Sequence, residues 1–272
     1  LIRRLGLLLL LLLAAPAEAQ PLPRIVSLSV CADQYLLTLA APEQIAGLSP
    51  QARDPSLSFN ADAAQRFPLT NGRAEEVLAL HPDIALSDGY ANATTLRLLN
   101  KIGVRMVLLP DPQSFADVEV ALRSVGAAIG RAEAGEAAAQ AFEARRAALA
   151  ATIPAHLIPA LYLIPTGATA GQGTYVDEVL GLAGFSNEAT RRGIGGWRRL
   201  SLEELLLDPP PHVIMSFMDR NADAVGMSFG TNPVRERIPA LAKPIDVPNA
   251  LWPCAGPMLV DAAAYLRERL PR

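Results

Sequence analysis

Short apolar runs of strand character recur along the chain, each stopped by Pro, Gly, Asp or Ser, with helical stretches between them. In the first half these runs are Arg24–Leu28, Ile45–Leu48, Ile84–Ser87 and Val104–Leu109; in the second they are Ala160–Ile164, Val213–Ser216 and Ile245–Val247. A helical stretch over Asp33–Ala40 comes after the first run. Strands that alternate with helices predict parallel sheets with crossover connections.

The middle of the chain breaks this rhythm. Phe115–Thr152 is rich in Ala, Glu and Arg with apolar residues at helical spacing, and its second part, Arg131–Ile153, has no internal proline before Pro154. That stretch predicts a helix of about 20 residues, near 30 Å long, stiff enough to act as a spacer. The expected fold is therefore α/β: two parallel-sheet lobes, residues 24–130 and 154–272, joined by a single long rigid helix at 131–153. An internal repeat agrees with two similar lobes, since Glu75-Glu76-Val-Leu-Ala-Leu-His81-Pro82 aligns without gaps to Glu203-Glu204-Leu-Leu-Leu-Asp-Pro209-Pro210. Each copy reads as a short helix that leads through proline into a strand.

The N-terminus has a separate logic. Arg3 and Arg4 precede the apolar run Leu7–Leu13, and Ala17-Glu18-Ala19 comes next. A basic start, a short apolar core and an A-x-A site predict a secretory signal peptide over residues 1–19, too short an apolar run to span a bilayer. No cysteine follows the cleavage site, so no lipid anchor is expected. Cleavage removes Arg3, Arg4 and Glu18 and moves the formal charge from −3 to −4, which offers no footprint for nucleic acid or an anionic membrane. The 51% hydrophobic content suits a substantial core.

Two kinds of chemistry fit poorly. Gly226-Met-Ser-Phe-Gly230 matches the G-x-S-x-G pattern of an exported α/β hydrolase, but that motif needs a strand before it and a helix after it. Here Asp219–Ala224 is polar, Asn232-Pro233 breaks the segment where the helix would have to run, and no histidine comes later in the chain. A bare-metal site for zinc or manganese needs converging His and carboxylate ligands; the chain has only His81, His156 and His212, none in an expected cleft loop. No catalytic residue, cofactor or resident metal is expected.

The chain resembles the periplasmic substrate-binding proteins of cobalamin, ferric-siderophore and haem ABC importers, over essentially all of residues 24–270. The resemblance rests on the order and spacing of four segments: Arg24-Ile-Val-Ser-Leu-Ser-Val-Cys-Ala-Asp-Gln34, Asn71-Gly-Arg-Ala-Glu-Glu-Val-Leu-Ala-Leu-His-Pro-Asp83, Gly196-Trp-Arg-Arg-Leu-Ser-Leu-Glu-Glu-Leu-Leu206 and Ala250-Leu-Trp-Pro-Cys-Ala-Gly-Pro257. It implies a periplasmic, monomeric, non-enzymatic protein that takes a metal chelate between its lobes and delivers it to an inner-membrane permease. It also implies one docking glutamate per lobe, at Glu75 and Glu203. Their place in a first helical turn equally suits the helix dipole, and Ser201 with Glu204 fits a capping box. Where the family's cobalamin binders carry a tryptophan before the docking helix, this chain has Thr70-Asn71-Gly72.

Ligand contacts are expected where strands end and loops face the cleft: Ser29–Ala32, the loop after Leu48 and Asp88-Gly89-Tyr90 in one lobe, Thr166–Tyr175, Phe217 and Ala250–Gly256 in the other. Tyr90, Tyr175, Trp197 and Trp252, with Phe217, are the aromatic candidates to cover a flat chelate, Trp252 foremost. The Gly171-Gln-Gly-Thr174 turn reads as geometry, with Thr174 and Asp177 capping a helix. Cys31 and Cys254 leave three readings open: a disulfide, as in many exported chains, cleft-facing thiols that touch the ligand as soft donors, or two buried thiols.

Overall fold

A computed structural model describes residues 21–89, 93–216 and 242–271. The expected signal peptide at 1–19, Tyr90, Phe217 and the Gly226–Gly230 motif lie outside the described residues.

The first sheet has the order β2-β1-β3-β4, from β1 (Ile25–Ser27), β2 (Ile45–Gly47), β3 (Ile84–Ser87) and β4 (Arg105–Leu108), with every pairing parallel. β1, β2 and β3 are buried at every residue, as parallel strands covered on both faces must be. β4 closes one edge and is only partly covered. Helix α1 (Val30–Leu39) leaves β1 at once because Ser29 caps it: Ala32 N donates to Ser29 Oγ at 3.2 Å. Then come α2 (Ala61–Ala64), α3 (Ala74–Ala79) before β3, and α4 (Ala93–Lys101) before β4.

Helices α5 (Phe115–Ala128) and α6 (Ala132–Ala150) turn back on each other and approach at glycine. A Cβ on Gly126 would fall 2.7 Å from Gly135 Cα, so only a hydrogen fits at this crossing. α6 is the expected spacer, 19 residues long, or about 28 Å. It stops three residues before the sequence pattern ends. Pro154 disfavours helical backbone at the residue before it, and Thr152 N and Ile153 N turn instead to Leu149 O and Ala150 O, three residues back.

The second sheet repeats the build with the order β10-β9-β5-β7, again all parallel, from β5 (Ile158–Leu163), β7 (Phe185–Asn187), β9 (His212–Met215) and β10 (Lys243–Asp246). A two-stranded antiparallel ribbon, β6 (Ala168–Ala170) with β8 (Trp197–Arg199), stands beside it. The strand pattern missed β6, β7 and β8, each of three residues. A run that short shows no period-2 alternation. α7 (Tyr175–Ala183) starts at the expected cap, where Asp177 N donates to Thr174 Oγ1 at 3.2 Å. α8 (Glu188–Arg191), α9 (Leu202–Leu207) and the final helix α10 (Leu259–Arg267) complete the lobe.

One large apolar core runs from Ile25, Leu36 and Leu86 through Phe115 and Phe142 to Tyr162, Trp252 and Leu259. The lobes are packed on each other, not merely strung on α6. Arg267 of α10 ties the far end together, donating from Nε to Ala183 O at 2.8 Å and from Nη1 to Thr152 O at 2.6 Å. It thereby covers carbonyls left open at the ends of α7 and α6.

Candidate functional site: an aromatic cleft between two sheets

The C-terminal ends of the strands carry the loops of the site, as expected for parallel sheets. β1 leads to Cys31 and Tyr35 on α1, β3 leads to Asp88 and Gly89, and β4 leads to residues 109–113. Facing them are Tyr175 at the start of α7, Trp197 on β8 and the 253–255 loop beyond β10. These residues enclose a cleft of about 610 Å³, mid-range for a small-molecule site.

Four aromatic rings are linked across the second lobe. Tyr175 and Trp197 stand 6.1 Å apart at the cleft, Tyr162 lies 6.2 Å from Trp197 and edge-on to it, and Trp252 lies 5.0 Å from Tyr162. Trp197 is 45% exposed and offers its indole to the cleft, whereas Trp252 is 1% exposed. The reading of Trp252 as the foremost ligand contact is therefore corrected. It belongs to the core that supports Tyr162, and its Nε1 has no hydrogen-bond partner among the described residues. Tyr162 is buried too, with its hydroxyl 2.7 Å from Ser216 Oγ, and burial pushes its phenol above the ordinary range. Sequence reasoning passed it over because a tyrosine inside a strand run looks like core. Tyr175 does reach the cleft, and its hydroxyl donates to Trp252 O at 3.3 Å.

Cys31 and Cys254 settle among their three readings. They are bonded to each other, with Cα atoms 5.4 Å apart and a sequence separation of 223, and both line the cleft. No thiolate remains to ligate a metal, so the soft-donor reading is overturned. The bond can form because α1 begins directly at the lobe boundary, beside the 253–255 loop. One helical turn beyond Cys31, the Tyr35 hydroxyl donates to Ala255 O at 3.0 Å.

The 109–113 loop was missed, although its place immediately after a strand was a usable signal. Charged groups among the described lining residues are Asp88 and Asp111. Beneath the floor lies Asp33, fully buried on α1. Burial pushes its carboxyl up to about 6, against hydrogen bonds from Ser27 and Ser49 that pull it down, and the nearby Asp88 charge adds to the rise. His81, His156 and His212 are not among the described lining residues; His81 sits at the α3–β3 junction with φ 47°, and His212 Nδ1 lies 3.2 Å from Pro159 O.

Away from the cleft, the glutamate pairs of the repeat divide their work. Glu76 accepts from Asn71 N at 3.1 Å and from Asn71 Nδ2 at 2.6 Å. Glu204 completes the capping box with Ser201, accepting from Ser201 N at 2.7 Å, and pairs with Arg198. Glu75 and Glu203 are both exposed and make no hydrogen bond or ion pair among the described residues.

The model of the periplasmic binding protein family matches residues 25–244. The chain belongs to that family. Such proteins bind solutes and do not catalyse reactions, so this one is a periplasmic solute-binding protein and not an enzyme. The fold has solved counterparts. The periplasmic haem-binding protein of Roseiflexus sp. RS-1, in apo form, is 25% identical with a TM-score of 0.67, covering 91% of this chain and 99% of that one. A periplasmic haem-binding protein from Pseudomonas aeruginosa is 25% identical with a TM-score of 0.68, covering 92% of each chain. The periplasmic vitamin B12-binding protein of Vibrio cholerae is 18% identical with a TM-score of 0.63, covering 91% and 96%, and this likeness speaks to fold alone. No curated protein matched the sequence.

Proposed function

We propose that this periplasmic binding protein captures a metal chelate, a ferric siderophore, haem or cobalamin, in the interlobe cleft and hands it to an inner-membrane ABC permease. The observation that carries the reading is the wall formed by Trp197 and Tyr175, backed by the buried Tyr162 ring. Flat aromatic faces suit a rigid macrocycle or chelate ring, with stacking contributing about 0.5–1.5 kcal/mol per ring pair beyond area burial. The haem-binding counterparts at 25% identity share the architecture and support the ligand class.

The docking reading assigns Glu75 and Glu203 to the permease. Both sit at the same position of the repeat, both are exposed, and in each pair the following glutamate is already engaged locally, Glu76 with Asn71 and Glu204 with Ser201. A carboxylate at each end of a rigid body orients it on a two-fold partner. The protein acts as a monomer in this reading, and residues 1–19 are its export signal. A tryptophan-fluorescence titration against haemin, cyanocobalamin and several ferric siderophores tests the ligand class. Saturable quenching by one of them is the expected result, and silence toward all sinks the chelate reading.

A further inference from the structure

Two covalent links join the lobes. One is α6, which contributes no residue to the described cleft lining; the other is the Cys31–Cys254 bond, which is itself part of the cleft wall. With α6 alone, the lobes could rock about it and let the cleft widen around a larger ligand. A second bond placed at the cleft removes that freedom. The bond also has a companion. Cys31 and Tyr35 lie one turn apart on the same face of α1, and they hold consecutive residues of the opposite lobe, Cys254 through sulfur and Ala255 through the Tyr35 hydroxyl. A third tie, Phe115 N donating to Glu178 Oε2 at 2.6 Å, joins the start of α5 to α7.

We propose that the Cys31–Cys254 disulfide, with Tyr35 beside it, is the specificity clamp of this protein: it fixes the cleft width so that chelate size decides what binds. This rests on the chelate-binding reading above. A preformed slot of about 610 Å³ admits a compact chelate at little cost in reorganisation. A corrinoid that carries its nucleotide loop is much bulkier than a porphyrin or a linear hydroxamate complex, so the clamp narrows the proposed ligands to the smaller chelates. Discrimination then comes from excluding the wrong ligand as well as from attracting the right one.

The clamp can be opened without mutation. A small dithiol such as dithiothreitol breaks the Sγ–Sγ bond, leaves one hydrogen on each sulfur and is itself oxidised to its cyclic disulfide, two electrons and two protons in all. The chain has only two cysteines, so the reaction touches nothing else. The test compares oxidised protein, dithiothreitol-reduced protein and the Cys31→Ser/Cys254→Ser double variant, titrated with ferrioxamine B, haemin and cyanocobalamin. The reduced wild type serves if the double variant fails to fold. Opening should speed dissociation of the preferred probe at least tenfold and raise affinity for the bulkier cyanocobalamin at least tenfold relative to the oxidised protein. Affinities and dissociation rates that agree within twofold across the forms overturn the clamp. Should no form bind any probe, the chelate reading has failed, and hydrogen exchange on the probe-free protein judges the clamp. Faster exchange at 30–35 and 249–256 on reduction, with β5 and β9 unchanged, upholds it; unchanged exchange at those segments overturns it.

Discussion

Ser49 grips both oxygens of Asp33: its backbone N–H donates to Oδ1 at 3.0 Å and its hydroxyl donates to Oδ2 at 2.5 Å. This joins α1 to the loop after β2 beneath the cleft floor. The hydrogen bonds do not fully offset the loss of solvent around a buried charge, and the carboxyl titrates at about 6 instead of the ordinary 3.8.

The sign of the pH effect comes from that rise. The folded protein holds the Asp33 proton more tightly than the unfolded chain, so this group favours the fold most at low pH. Its contribution falls as pH rises from about 4 to about 6 and is gone above that. At about 1.4 kcal/mol per pH unit, the change is of the order of 3 kcal/mol. Urea unfolding from pH 4 to 7 should show this slope, and Asp33→Asn, which keeps an acceptor for Ser49 N, should flatten it. A variant with the wild-type slope would assign the titration elsewhere.

Opening the disulfide should also cost stability. A bond that closes a loop spanning 223 positions removes much chain entropy from the unfolded state, and the usual gain is about 2–4 kcal/mol. Thermal unfolding with and without dithiothreitol measures it. Equal melting temperatures would show that the bond does not support the fold.

The glutamate pairs make opposite predictions. Glu75→Lys with Glu203→Lys should abolish transport in cells and leave ligand affinity unchanged, because neither carboxylate has a local partner among the described residues or faces the cleft. Ser201→Ala should cost about 1 kcal/mol of stability through the lost cap. Lost ligand affinity in the double glutamate variant would refute the docking assignment.

The two tryptophans separate wall from support. Trp197→Ala should weaken ligand binding about tenfold with little effect on stability, since the side chain is half exposed. Trp252→Ala should cost about 3–5 kcal/mol of stability. Trp252→Phe should cost far less, because it also removes a buried N–H without a partner among the described residues, itself a penalty of about 1–3 kcal/mol. Denaturant midpoints of the three variants rank them.

The sequence was most legible where burial on both faces forces a continuous apolar run, and β3 coincides residue for residue with the expected Ile84–Ser87. The stiff spacer was equally plain, since composition alone separates α6 from its surroundings. The repeat held in its helices but ended differently in the two copies: His81 takes a left-handed conformation, which proline at the matching Pro209 cannot adopt. Contacts across the lobes were the least legible. Nothing local distinguishes Trp197, at the cleft, from Trp252, behind it; Trp252 is buried by packing on Tyr162, which lies far away in sequence. The disulfide was one of three open readings for the same reason, because its two halves meet only in tertiary structure.

The position of the two cysteines also sets the order of events as the protein is made. On the reading of residues 1–19 as an export signal that passes the chain across N-terminus first, Cys31 reaches the oxidising side of the inner membrane early and Cys254 late. Cys31 must therefore wait as a thiol until almost everything else has crossed. With no third cysteine in the chain, there is no wrong intramolecular partner during that wait. In the folded protein the bond joins α1, which follows β1 of the first sheet, to the 253–255 loop, which follows β10 of the second. Its formation thus works as a biosynthetic seal on a finished molecule.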